Sequence, residues 1–168
     1  MNEARWLDER EGRAWRGYLN MHTQLMACLH RQLQDYSGLS LADFDVLVRL
    51  TDLAEPRMRI GELGQALQWE KSRLSHHLGR MQKRGLVRRE DCPDDARGAY
   101  IVLTEQGRTA IEQAAPGHVD AVRELVFDAL TAEQVDAFGV IVGHILERLE
   151  RAETNAPVRP GSCGSPSP

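Results

Sequence analysis

The sequence predicts a mainly α-helical fold with one small β-hairpin, and three observations carry that reading. Along most of the 168 residues, apolar side chains recur at intervals of three and four, the period of a helix with one buried stripe. Between residues 86 and 103 the pattern changes to two β-prone runs around a turn-forming Cys-Pro-Asp-Asp-Ala-Arg-Gly segment. Immediately before that hairpin, Lys71 to Arg89 holds seven basic residues and no acidic one.

The first helix is expected over about residues 10–35, where Trp15, Tyr18, Leu19, His22, Leu25, Met26, Leu29 and Leu33 form one stripe and Gly38 closes the element after Ser37. Ser40 with Asp43 three residues on is an N-cap signature for a second helix carrying Phe44, Val46, Leu47, Leu50 and Leu53, which Pro56 ends. A short third helix buries Ile60, Leu63, Ala66 and Leu67. The step Gln68-Trp69-Glu70 separates it from a basic helix starting near Lys71. Two short helices joined by a tight turn, the second cationic, make a helix-turn-helix over residues 60–84.

At about 100° per residue, Leu74, Leu78 and Met81 of the basic helix fall within roughly 60° of one another, while Arg73, His76, Arg80, Lys83 and Arg84 lie on the other side. An apolar back and a cationic front suit a helix that enters the major groove of double-stranded DNA. Ser72, Arg73, Ser75 and His76 near its N-terminus are placed for base edges, with Arg73 the candidate for a bidentate guanine contact. Arg80, Lys83 and Arg84 suit phosphate, and Lys71 at the start of the helix is a further DNA-binding candidate. His77, about 60° from the apolar centre, stands at the boundary between packing and DNA contact and is kept among the DNA-binding candidates.

Gly85 terminates this helix, and Leu86 to Glu90 pairs with Ala99 to Leu103 to form a wing over residues 86–103. Arg97 near its tip is placed for the adjacent minor groove, and Asp95 for orienting an arginine rather than meeting phosphate, although aspartates also favour turns for local reasons. The ordered set Lys71-Ser72-Arg73-Leu74-Ser75 to Met81, Arg84-Gly85-Leu86-Val87, Asp95-Ala96-Arg97 and Leu103-Thr104-Glu105-Gln106-Gly107 resembles the MarR (multiple antibiotic resistance regulator) family. Together these motifs cover about residues 60–107, and the order of the flanking helices extends the match to about 10–150. The resemblance implies a winged helix-turn-helix, an obligate homodimer, a palindromic operator, repression, and relief by a small ligand or an oxidant. It departs from the family pattern in the wing, where Asp-Ala-Arg stands for the commoner Asp-Arg-Arg and leaves the minor-groove role to Arg97.

Thr104 caps the next helix, with Ile111, Ala114, Val122, Leu125 and Val126 on its apolar side and a bend expected at Pro116-Gly117. Thr131 with Gln134 opens the last helix, whose Val135, Phe138, Ile141, Val142, Ile145 and Leu149 are too apolar for solvent. These segments, over about residues 105–152, and the first helix are read as N- and C-terminal dimerisation helices of a single domain spanning 1–154. Residues 155–168 hold four of the seven prolines and read as a disordered tail.

Charge distribution supports nucleic acid despite an overall −4: the seven positive charges of the basic strip leave a net −11 on the rest of the chain. No stretch approaches the roughly 18 apolar residues of a membrane span, and the N-terminus lacks the order of a signal peptide, so a cytoplasmic setting is expected. Cys28, Cys92 and Cys163 match neither a disulfide framework nor a zinc spacing, and His76, His77 and His118 follow no ligand pattern; no metal or cofactor is expected. With no phosphate loop and no cluster of Ser, His and Asp, an enzyme is not expected either. Two alternatives stay open, a winged-helix module for protein or RNA and an oxidant-sensing regulator working through Cys28. Trp15, Tyr18 and His22 are candidates for a ligand pocket, as in relatives that bind aromatic carboxylates, against the plainer reading of a core stripe.

Overall fold

The computed structural model describes residues 5–53, 55–92 and 95–154, the side chains of 95–97, 153 and 154 aside. The proposed tail and its Cys163 lie outside the described residues. Helix α1 spans Glu9–Ser37, α2 Leu41–Thr51, α3 Ile60–Leu67, α4 Lys71–Lys83, α5 Glu105–Leu125 and α6 Ala132–Thr154; the strands are β1 Arg57–Arg59, β2 Val87–Cys92 and β3 Asp95–Leu103. The three strands form one antiparallel sheet in the order β1-β3-β2. Among the described residues, no helix is long and apolar enough to cross a membrane.

The helix ends follow local chemistry. Asp8 and Glu11 make a reciprocal capping box that starts α1, and Gly38, at φ 67°, ends it in the left-handed region where glycine carries no Cβ penalty. Ser40 and Asp43 make the same box at α2, each satisfying the other's backbone N–H. Thr104 receives the N–H of Gly107 through Oγ1 at 2.9 Å and donates to the Gly85 carbonyl at 2.6 Å, so the end of α4 and the start of α5 are tied at one hydroxyl. Gly107 is required there because a Cβ would collide with the Leu86 carbonyl oxygen. Thr131 and Gln134 open α6 as a capping box. Helix α5 runs through Pro116 as one element.

Two compact units result, divided at Leu125/Val126. In the first, Leu33 of α1, Phe44, Val46, Leu47 and Leu50 of α2, Leu63 of α3, Leu74, Leu78 and Met81 of α4, Ile101 and Leu103 of β3 and Ile111 of α5 share one core. Strand β1 was not anticipated. Its three residues pair with β3 as Arg57 with Val102, Met58 with Ile101 and Arg59 with Tyr100, so the wing is a hairpin with a third strand on its inner edge. The second unit consists of a one-turn 3₁₀ segment, Phe127–Ala129, and α6. None of the described α6 residues is buried: Phe138, Val140, Ile141, Val142, Ile145, Leu146 and Leu149 are all exposed.

Candidate nucleic-acid interface

The turn between α3 and α4 is fixed by its hydrogen bonds. Trp69 N–H reaches the Gly64 carbonyl at 2.9 Å and Gln68 N–H the Gln65 carbonyl at 3.1 Å, the paired bonds that close a helix through a left-handed residue. That residue is Gln68, at φ 53° and ψ 39°, and among the described residues no other non-glycine has a positive φ. The reversal brings Glu70 to the N-cap of α4 without a side-chain cap, and the first turn of α4 carries Lys71 and Arg73 with no acidic residue. Cations at the positive end of a helix dipole are unfavourable by themselves and are relieved by an anion.

Leu74, Leu78 and Met81 are buried to 2% exposure or less and anchor the back of α4. Lys71, Ser72, Arg73, Ser75, His76, Arg80 and Lys83 are exposed on it. Two residues expected at the DNA face have other duties. His77 is 5% exposed, so its assignment as a DNA contact is corrected. Its Nε2 sits 3.1 Å from Asp43 Oδ1, off the line of a well-formed hydrogen bond, and Arg80 Nη2 approaches its Nδ1 at 2.9 Å. Arg84, expected on phosphate, instead donates to Asp43 Oδ2 at 2.7 Å and to the Gly38 carbonyl at 3.0 Å.

Asp43 is the centre of this network, and sequence reasoning took it only for a cap. Burial pushes its carboxyl up, but the contacts from His77, the Ser40 backbone and hydroxyl, and Arg84 together outweigh burial and hold it well below the usual carboxylate range. One buried carboxylate therefore ties the end of α1, the start of α2 and the C-terminal half of α4. The signal that could have found it is an aspartate where a capping box ordinarily has Glu or Gln; its shorter side chain stays beside the backbone, where Arg84 meets it.

Arg73 lies over the Trp69 ring, 4.4 Å from its centroid, and Trp69 meets the His77 ring edge-on at 5.2 Å. A groove of about 910 Å³ runs between α3, the start of α4 and the wing, lined among others by Arg59, Lys71, Ser75, Arg89, Gly98 and Ala99. On the sheet, Arg57 and Arg59 both stack on Tyr100, at 5.0 and 5.4 Å, a clamp that sequence reasoning missed with β1. Arg88 and Glu90 pair along β2. The backbone of Asp95 and Arg97 belongs to β3, after a register shift at Asp91/Cys92; their side chains lie outside the described residues.

Trp15, Tyr18 and His22 form an exposed ladder on α1, with ring centroids 5.5 and 6.0 Å apart. The wing-side groove and a smaller cavity of about 320 Å³ between α2 and α3 are lined by other residues. Cys28 is partly buried, its sulfur 3.3 Å from Arg31 Nη2. His118 packs against Phe44 at 4.3 Å. Among the described residues, no group of three or more His, Cys, Asp and Glu is placed to hold a metal ion.

A model of the MarR family matches residues 37–98, from the end of α1 into the wing. The chain is similar to Sco3205 of Streptomyces coelicolor, a MarR family transcriptional regulator solved in complex with DNA, at 42% identity over 94% of this chain and 98% of that one, with a TM-score of 0.85. It is similar also to AbsC, a MarR family transcriptional regulator of the same organism, at 39% identity over 88% and 99% of the two chains, with a TM-score of 0.82. The HTH-type transcriptional repressor YetL of Bacillus subtilis (strain 168) is 30% identical over 112 residues, which are 67% of this chain and 66% of that protein.

Proposed function

The chain belongs to the MarR family of DNA-binding transcriptional regulators, and from that premise we propose that it is a homodimeric repressor that grips a palindromic operator with α4 and releases it on binding a small molecule. The observation that carries the DNA-reading part is the front of α4. Small and long polar side chains at its N-terminal end, Ser72, Arg73, Ser75 and His76, are exposed on a helix whose back is locked in the core. Charge alone would serve an acidic protein partner; this mixture suits base edges.

In this reading Arg73 reads a guanine, His76 and the two serines contact base edges or nearby phosphate, and Lys71, Arg80 and Lys83 supply phosphate contacts without sequence information. Arg97 enters the minor groove beside the site, with Asp95 as its orienting partner. Arg84 stiffens α4 from behind.

Dimerisation is supported by α6, which leaves seven large apolar side chains exposed, a face that water does not favour and a second chain would cover. A two-fold dimer places two copies of α4 about 34 Å apart, one turn of duplex, and so demands a palindromic site. The effector is assigned to the Trp15, Tyr18 and His22 ladder, whose stacked ring surfaces suit a planar aromatic ligand. Repression is the role carried in the name of YetL.

Fluorescence anisotropy of the full chain against its own upstream intergenic DNA and a scrambled duplex, at two salt concentrations, tests the reading. A preference of about a thousandfold or more is expected. Equal, salt-labile binding to both duplexes would leave only nonspecific electrostatics and overturn it.

A further inference from the structure

We propose that Trp69 is a positioning residue for base readout: its indole is the platform on which the Arg73 guanidinium is held ready for DNA, with His77 as the wedge that fixes the indole. The inference rests on the assignment of Arg73 to base reading above.

The arrangement has three layers. The Arg73 guanidinium carbon lies 4.4 Å from the centre of the Trp69 ring, a separation at which the ring face attracts a cation. The indole meets the His77 ring at 5.2 Å with the planes at 88°, an edge-to-face contact. His77 is itself immobilised, 5% exposed between Asp43 of α2 and Arg80 of α4. The exposed arginine is thus backed by a partly buried ring, and the ring by a buried imidazole.

Backbone geometry sets the platform. The left-handed Gln68 turns the chain so that Trp69 N–H closes on the Gly64 carbonyl, which fixes the Trp69 backbone immediately before α4. Residue 73 stands in the first turn of α4, and its side chain returns over the indole that precedes the helix.

The consequence for recognition follows from guanidinium chemistry. Stacking occupies the flat face of an arginine and leaves its edge N–H donors free, and those are the donors that meet guanine O6 and N7. A long side chain that would otherwise sample many rotamers is already confined, so less freedom is lost when DNA binds. Phosphate contacts made by Lys83 do not pass through this platform. Losing the platform therefore lowers discrimination between operator and random DNA and leaves random-DNA affinity in place.

The test is a double-mutant cycle in the full chain, reading the operator-to-random affinity ratio by anisotropy, with thermal melting as the folding check. Trp69→Leu is expected to lower the ratio about three- to tenfold and Trp69→Phe, which keeps a ring, by less. In an Arg73→Ala background, Trp69→Leu is expected to change the ratio no further. If Trp69→Leu melts too low to assay, Trp69→Phe and Arg73→Lys, which keeps the charge but loses the planar face, complete the same cycle. A ratio unchanged by Trp69→Leu, or equally reduced with Arg73 present or absent, overturns the platform while a collapse on Arg73→Ala leaves base reading intact. A rise in operator affinity on Trp69→Leu would mean that the indole withholds the arginine, and also overturns it. If Arg73→Ala itself leaves the ratio untouched, the base-reading assignment fails first, and the platform with it.

Discussion

The two compact units of this chain differ in how much of their apolar surface they cover. The first packs leucines from α1, α2, α3, α4 and β3 to near-complete burial, with Leu33, Leu47, Leu50 and Leu63 all at 0% exposure. The second contains a 23-residue helix, α6, none of whose described residues is buried. The apolar stripes of α2, α3 and α4 are satisfied within one chain, whereas that of α6 is exposed, as are Trp15, Tyr18 and Leu19 on α1. An exposed apolar stripe of that size is unfavourable in water, and the contrast fits the proposal that α6 is covered by a second chain.

The largest expected effect comes from breaking that contrast at α6. Replacing Ile141 and Ile145 by Asp puts two charges on the exposed stripe and is expected to convert a dimer to a monomer by light scattering, with operator affinity down about a hundredfold or more because two half-sites no longer bind together. Persistence of the dimer in the double variant would show that α6 is not the joining surface.

Within the reading lobe, the most sensitive point is Asp43. Asp43→Asn keeps the shape but removes the charge facing His77 and Arg84, and about 2 kcal/mol of stability is expected to go with it, measured by urea unfolding. The sign of its pH dependence follows from its depressed carboxyl. The folded state holds the proton less tightly than the unfolded one, so the contribution is complete above the ordinary carboxylate value of about 4 and is lost as pH falls through the lower folded value. Wild type should therefore lose stability in acid more steeply than Asp43→Asn. Parallel acid profiles would remove Asp43 from the account.

Smaller effects separate specificity from affinity on the front of α4. Arg73→Ala is expected to cost about 1 to 3 kcal/mol on operator and relax one base pair, whereas Lys83→Ala should weaken all duplexes alike and lower the salt slope by about one. Anisotropy at several salt concentrations distinguishes the two. The smallest predicted change is a gain: Gln68→Gly relieves a left-handed non-glycine and is expected to add about 0.5 kcal/mol, seen as a modest rise in Tm. A fall in Tm would mean that the Gln68 side chain holds the turn by a contact rather than straining it.

Much of the reading lobe was legible in the sequence. Helix ends were written in short-range chemistry: Gly38, the Ser40 and Asp43 box, Gly85 and the bond of Thr104 to the Gly107 N–H all act over four residues or fewer. The exposed front of α4 was legible for the same reason, since a fixed angle per residue separates Arg73 and His76 from Leu74 and Leu78. His77 was not, because at about 60° from the apolar centre either side is open to it, and the choice was made by Asp43 on another helix. The bond from Arg84 to Asp43 spans 41 positions, and no local pattern announces a partner that distant. Strand β1 escaped for a related reason. Three residues show no period, and Arg57–Arg59 is extended only because β3 offers it a ladder.

The sequence by itself determined the order of the helices and of the wing hairpin, most of the caps and the polarity of most helix faces, because these are set by interactions within one or two turns of the backbone. Only the tertiary structure decided which cations stay free on the front of α4. Arg84, at the end of α4, is held by the buried Asp43 carboxylate, His77 is buried beside that carboxylate, and Arg73 is laid on Trp69. A charge that is bound inside and a charge that is offered outside read alike in a sequence. They differ in whether a partner from a distant segment is folded against them.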